Sequence, residues 1–127
     1  MTSYTKPEYP LSELTSRIIA AATRVHRTLG PGFEEVIYQR ALEMELRVEG
    51  LESSREVWID VYYLGEKIGH KRVDFVIEDV MVEIKARAIL EPVHFVQALS
   101  YLKASGYKVG LLLNFGSVKL EIKRLAN

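Results

Sequence analysis

The stretch Arg72-Val73-Asp74-Phe75-Val76-Ile77, followed by Glu78-Asp79 and then Val80-Met81-Val82-Glu83-Ile84-Lys85-Ala86, decides the fold. Both runs are rich in β-branched and aromatic residues and alternate with a period of two, the pattern of strands, and Glu78-Asp79 is short enough for a tight hairpin loop. With a two-residue loop Ile77 faces Val80, and counting outward in antiparallel register sets Asp74 directly opposite Glu83. Lys85 then lies two places along on the same face, while Val73, Phe75, Val82, Ile84 and Ala86 fill the other face. Like charges directly opposite one another destabilise a sheet, and in a semi-buried place one carboxylate must take up a proton unless a cation sits between the two. A divalent metal is the simplest such cation. A solvated strand face with an ordinary Glu-Lys pair gives the same pattern, so the reading depends on what else converges on the hairpin.

Before the hairpin, Ser12 is a plausible N-cap for a helix over Glu13 to Leu29, in which Leu14, Ile18, Ala22, Val25 and Leu29 recur at helical spacing. Gly30-Pro31-Gly32 breaks it, and a second helix over Glu34 to Val48 carries Val36, Ile37, Ala41, Leu42 and Leu46 before Gly50. A strand is expected over Glu56 to Tyr63, then a turn at Gly65-Glu66 that suits a type II′ hairpin, then Lys67 to Ile77. After the hairpin, Pro92 suits the first turn of a helix reaching Ala104, and Gly106 ends it. Tyr107 to Phe115 is a nearly continuous apolar run of the kind buried on both faces, and a short strand follows at Val118 to Leu125. Two helices, three antiparallel strands, a helix and one or two strands make an α/β protein with a mixed central sheet flanked by helices.

With 127 residues and 48% hydrophobic content, the chain suits a single domain over residues 1–127, of which 1–10 are expected to be flexible. Seventeen Lys plus Arg balance seventeen Asp plus Glu, so no global field recruits nucleic acid or anionic membrane. Cysteine is absent, which excludes disulfides and thiolate metal sites and leaves carboxylates and three histidines as ligands. Hard cations such as Mg²⁺ or Mn²⁺ fit that inventory. No apolar signal core begins the sequence and no run of about 18 apolar residues occurs in it, so a cytoplasmic protein without a membrane partner is expected.

In the helix after the hairpin, Phe95, Ala98, Leu99 and Leu102 form an apolar arc, while His94, Gln97 and Tyr101 lie together at spacings of three and four. That polar stripe starts only a few residues beyond Lys85 and is placed to add an amide and a phenol to the same pocket; an ordinary amphipathic helix with a polar edge looks the same. Glu34 and Glu35 stand in the first turn of the second helix, where the helix dipole favours acids whether or not they do chemistry. His26, beside the apolar stripe of the first helix, reads as a core-edge histidine rather than a ligand.

Taken together the residues resemble a family. Gly32-Phe33-Glu34-Glu35-Val36-Ile37-Tyr38 matches the Gly-x-x-Glu-x-x-Tyr signature of the GxxExxY proteins, a branch of the PD-(D/E)XK nuclease superfamily. Val73-Asp74-Phe75, Val82-Glu83-Ile84-Lys85-Ala86, Gln97-x-x-x-Tyr101-Leu102 and Gly110-Leu111-Leu112-Leu113-Asn114-Phe115-Gly116 look like the family's other blocks, in order, so the resemblance covers roughly residues 11 to 125. It implies an αβββαβ restriction-endonuclease-like core and a metal-dependent phosphodiesterase site whose acids and lysine fall on Asp74, Glu83 and Lys85. The upstream helix acid falls on Glu35 and the helix glutamine on Gln97. Val73 stands where the proline of the superfamily's name would be.

That resemblance implies Asp74 and Glu83, with Glu35 assisting directly or through water, as holders of Mg²⁺ or Mn²⁺, and Lys85 as the group that orients the nucleophile and steadies developing charge. Gln97 would position the lysine, the water or a phosphate, and Tyr101 would line the same wall. Nucleic acid, DNA in the first instance, is the implied substrate. Lys67, His70, Lys71, Arg72, Lys85 and Arg87 supply only a local basic patch, so a homodimer or a protein partner is a candidate to complete the groove. Two rivals remain open: a nuclease-fold module that binds nucleic acid or a protein without cutting, and a self-associating structural protein.

Overall fold

Apolar residues at helical spacing, then period-two runs, then an apolar run without polar breaks, give the chain its helices, its hairpins and its central strand. In a computed structural model, which describes residues 11–127, these are α1 (Ser12–Leu29), α2 (Glu35–Val48), β1 (Ser54–Tyr63), β2 (Glu66–Ile77), β3 (Val80–Lys85), α3 (Pro92–Ser105), β4 (Val109–Asn114) and β5 (Glu121–Ala126). The flexibility expected of residues 1–10 lies outside the described residues. The five strands form one sheet in the order β1-β2-β3-β4-β5, antiparallel throughout except for the parallel pair β3 and β4, which α3 connects. The sheet is therefore mixed, and the αβββαβ order expected from the sequence is present.

Each face of the sheet has its own core. Under α1 and α2, Ile18, Ala22, Leu42 and Leu46 pack with Phe75, Ile77, Val80, Val82, Ile84, Leu111 and Leu113. Under α3, Ala98 and Leu102 pack with Ile59, Val73, Met81, Leu112 and Leu125. All six residues of β4 are buried, as a strand covered on both faces requires. Among the described residues no helix is long and apolar enough to cross a membrane.

Several local expectations are corrected. Leu11, at φ 58°, is the N-cap of α1, and Ser12 is already helical, its carbonyl accepting a hydrogen bond from the Thr15 hydroxyl. The first hairpin turns one residue earlier than expected, at Leu64-Gly65: Tyr63 pairs with Glu66, and φ is 50° at Leu64 and 80° at Gly65. Two positive φ values in succession belong to a type I′ turn rather than II′. Val73 does not share a face with Phe75; it joins Ile59 and Met81 in the α3 core. The alternation fails at Asp74, and on the adjoining strand Glu56, between the pairs Arg55 with Phe75 and Val57 with Val73, has φ 55°. In α3, His94 is buried and Phe95 exposed, the reverse of the expected arc. His94 Nδ1 accepts the Glu91 N–H at 3.0 Å as half of a capping box, so it turns inward to close the helix start.

Two side chains fix the loops that lead into the site. Tyr38 is fully buried, stacked on Phe115 at 4.8 Å between ring centres; its hydroxyl donates to the Gly30 carbonyl at 2.5 Å and accepts from the Phe33 N–H at 3.2 Å. It is a core residue that holds the α1–α2 connection. Asn114, also fully buried, accepts from the Arg87 and Gly116 N–H groups and donates to the Arg87 carbonyl and to Glu121, tying the chain beyond Lys85 to the end of β4. Gly116 permits that crossing, since a Cβ there would lie 2.3 Å from the Arg87 nitrogen and 2.4 Å from the Ala86 carbonyl carbon.

Backbone on both sides leaves no flexible atom to yield, so Gly116→Ala is expected to destabilise the fold by about 1–3 kcal/mol or more. Denaturant unfolding would show this as a lower midpoint; an unchanged midpoint would mean the two segments do not cross so closely.

Candidate active site

The register of the hairpin brings the carboxylates together and then gives way to them. Backbone pairing of β2 with β3 runs Ile77 with Val80, Val76 with Met81 and Phe75 with Val82. The next pair would be Asp74 with Glu83. There the ladder is replaced by side chains: the Asp74 N–H donates to Glu83 Oε1 at 2.9 Å, and the Ile84 N–H donates to Asp74 Oδ2 at 2.7 Å. Each strand's carboxylate reaches across to the other strand's backbone. These charge-assisted bonds satisfy donors that a parted ladder would orphan, at the cost of setting the half-buried Asp74 carboxyl beside the buried Glu83.

That cost raises the pKa of both groups. Burial first, and then the Asp74 charge, push the Glu83 carboxyl up to about 8, against the pull of the Asp74 N–H and of Lys85. Asp74 is raised too, by burial and by the charge of Glu35, while the Ile84 N–H, Lys85 and Arg55 oppose the shift. Glu35, half-buried in the first turn of α2, is thus near enough to bear on both carboxyls.

Two arms of polar side chains reach the pair. From α3, Gln97 Oε1 accepts from Lys85 Nζ at 3.4 Å, and the Tyr101 hydroxyl is hydrogen-bonded to Gln97. Tyr101's own pKa is raised, chiefly by burial and further by the Glu83 charge. From α2, Gln39 donates to Asp74 Oδ1 at 3.1 Å and accepts from Arg55 Nη2 at 3.0 Å; Arg55 in turn lies 3.5 Å from Glu43 and over the Phe75 ring. Glu35, Asp74, Glu83, Lys85, Gln97 and Tyr101 therefore converge. Tyr38 and His26 do not join them: Tyr38 serves the core, and His26 Nε2 is hydrogen-bonded to the Ser117 carbonyl oxygen at 2.9 Å.

Gln39 and Arg55 are not among the residues the sequence singles out. A signal exists for Gln39, four residues after Glu35 and ahead of the buried Leu42 and Leu46, on one continuous helical stripe. Arg55 has none, because its reach to Gln39 depends on how β1 lies against α2.

The donors fit a hard divalent cation, since they are carboxylate oxygens whose mutual repulsion such an ion would relieve. Among the described residues no group of three or more histidine, cysteine or acidic side chains is gathered closely enough to enclose a metal. An open pair of carboxylates suits Mg²⁺, which takes one or two protein carboxylates and keeps several waters.

Comparison with known proteins agrees with this fold. Residues 12–125 match the profile of the PD-(D/E)XK nuclease superfamily. Among solved structures, the crystal structure of SSO0001 is similar with a TM-score of 0.57 at 21% identity, over 92% of this chain and 59% of that one. That likeness is one of fold, and the present chain spans only part of that longer protein. No curated protein matches.

A folded-state pKa of about 8 for Glu83, above the ordinary value of about 4.3 for a free glutamate, means that between those pH values the folded state holds a proton the unfolded chain has released. Its contribution to stability is complete below the lower value and is lost as pH rises toward the upper one. Without divalent metal, stability should fall across this window by on the order of a few kcal/mol, at about 1.36 kcal/mol per unit. Glu83→Gln, whose amide oxygen can still accept from Asp74, should flatten the dependence. Urea unfolding in EDTA from pH 5 to 9 would test this; equal slopes for the two proteins would mean that Glu83 is ionised throughout.

Proposed function

The chain belongs to the PD-(D/E)XK nuclease superfamily, and from that premise we propose that it hydrolyses phosphodiester bonds in nucleic acid, DNA in the first instance, with a divalent metal. The observation that carries this reading is the reciprocal insertion of Asp74 and Glu83 into the opposing strands with Lys85 beside them. A structural role alone would not require a buried and a half-buried carboxylate at adjoining positions, because ordinary ladder bonds would serve the backbone as well.

Asp74 and Glu83, with Glu35 nearby, are the residues to hold Mg²⁺ or Mn²⁺, which when bound would polarise the scissile phosphate and make water a better nucleophile at neutral pH. Lys85 presents a compact cation at the edge of the carboxylate pair, where negative charge develops as the phosphodiester is attacked. Gln97 restrains the lysine by accepting from its ammonium, and Tyr101 restrains Gln97. Gln39 has the corresponding duty for Asp74: by donating to Oδ1 it fixes the carboxylate plane while Arg55 fixes its own amide. Water has access on the Lys85 side, since Lys85 is only half-buried and Gln97 is exposed.

Cleavage of labelled single-stranded, duplex and branched DNA and RNA, with Mg²⁺, Mn²⁺ or EDTA, tests the proposal directly. Lys85→Ala should cut at least about a hundredfold more slowly while keeping its circular dichroism and its stabilisation by Mg²⁺. Wild-type rates in that variant would remove Lys85 from the mechanism, and a wild-type protein that binds Mg²⁺ but cuts nothing would favour a non-cleaving module.

Gln39→Ala should weaken activity or metal affinity by about 10- to 100-fold, with the apparent metal affinity moving more than the rate at saturating metal. Equal metal requirements in wild type and variant would show that Gln39 serves packing alone.

A further inference from the structure

The longest hairpin of the fold, β1 with β2, carries an exposed aromatic array that neither core uses. Trp58 is 57% exposed, and Tyr62, Tyr63, Leu64 and Ile68 toward the turn are exposed as well. Although Trp58 lies open to solvent, its indole is held in a definite pose. The Arg72 guanidinium stands over the ring at 5.4 Å, and His70 meets it edge to face at 4.6 Å between centres. A pre-oriented aromatic loses little freedom on stacking, the condition under which an exposed ring binds rather than merely being tolerated.

The array is also close to the carboxylates. Trp58 pairs directly with Arg72, two residues before Asp74 on β2. By strand geometry, about 6.6 Å along β2 and about 5 Å across the pair separate the Trp58 backbone from that of Asp74. That distance is on the order of one to two nucleotides of extended strand. The nearby cations sit in exposed ion pairs, Arg72 with Glu56 at 3.7 Å and Lys67 with Asp60 at 3.1 Å. Such pairs contribute little and exchange readily for a phosphate.

We propose that the β1–β2 hairpin grips single-stranded nucleic acid, with an unpaired base stacked on Trp58 and its phosphates on Arg72 and Lys67, so that the strand is delivered to Asp74 and Glu83. This rests on the nuclease reading of the adjoining site. Bases in a duplex already stack on their neighbours and do not offer the indole a free face, whereas every base in a single strand does. The chain's zero formal charge fits an attachment in which stacking supplements a small number of phosphate contacts.

Trp58 is the sole tryptophan of the chain, so its fluorescence reports on the proposed contact alone. In EDTA, an oligothymidylate of about twelve nucleotides, within the usual site size of single-strand binders, should quench that fluorescence, and a duplex of the same length should not. By anisotropy of the labelled oligonucleotide, Trp58→Ala should bind about tenfold more weakly, with Trp58→Phe in between. Arg72→Ala should reduce the slope of log affinity against log salt by about 0.7. Unchanged affinity in Trp58→Ala, or an equal loss for the duplex, would overturn the inference. So would a doubled solution mass that Trp58→Ala reverses, which would assign the hairpin to a second copy of the chain. Quenching without any cleavage would defeat the nuclease reading alone, and cleavage of single strands indifferent to Trp58 would defeat this inference alone.

Discussion

The architecture around the site depends on one exchange, made where β2 and β3 stop pairing. After three regular pairs, Asp74 and Glu83 each send a carboxylate to the other strand's backbone N–H, so the ladder ends with its donors satisfied. In hydrogen-bonding terms the junction is complete; in electrostatic terms it is not. A buried acid and a half-buried one lie against each other, with Glu35 adding a further negative charge from α2, and the cations Lys85 and Arg55 bear on the pair. A fold can tolerate this only if the strands are held apart at one place by something stiffer than the carboxylates themselves.

The two helical layers supply that stiffness from opposite sides. On one side Gln39 joins Asp74 to Arg55, which is itself fixed by Glu43 and the Phe75 ring. On the other, Gln97 and Tyr101 approach Lys85 and Glu83 from α3, whose start is closed by the Glu91 and His94 capping box. Asn114 binds Arg87 at both its N–H and its carbonyl, and so fixes the path of the chain as it leaves Lys85 toward α3. These groups hold the carboxylates, or the chain beside them, from outside the hairpin.

Much of this is legible in the sequence, for identifiable reasons. Hairpin register follows from a two-residue loop and a period of two, so the opposition of Asp74 and Glu83 follows from counting residues alone. Gln97 and Tyr101 follow from helical spacing in the same way. Counting fails where its premise fails. It takes alternation to continue through Asp74, yet the strand reverses its faces there, which is why Val73 lies with Ile59 rather than with Phe75. His94 falls in a polar stripe by spacing, because spacing alone cannot tell a residue that borders a site from one that turns inward to cap a helix. Arg55 lies beyond the reach of such reasoning because its partners come from another element, and nothing in β1 itself announces them.

In the proposed nuclease, the same junction fixes how metal and substrate must depend on each other. A nucleic acid strand approaching Asp74, Glu83 and Glu35 meets like charge, and the chain as a whole offers no positive field to offset it, its formal charge being zero. A divalent cation held by these carboxylates would offset that repulsion and supply a counter-charge for the phosphate, so each ligand would raise the affinity for the other, and by the same factor. Proton, metal and polyanion would thus compete or cooperate at one pair of oxygen donors. A proton on Glu83 would relieve the pair in the metal-free chain, ionisation would free it to hold a cation, and a bound cation would make the site more hospitable to a strand held beside it.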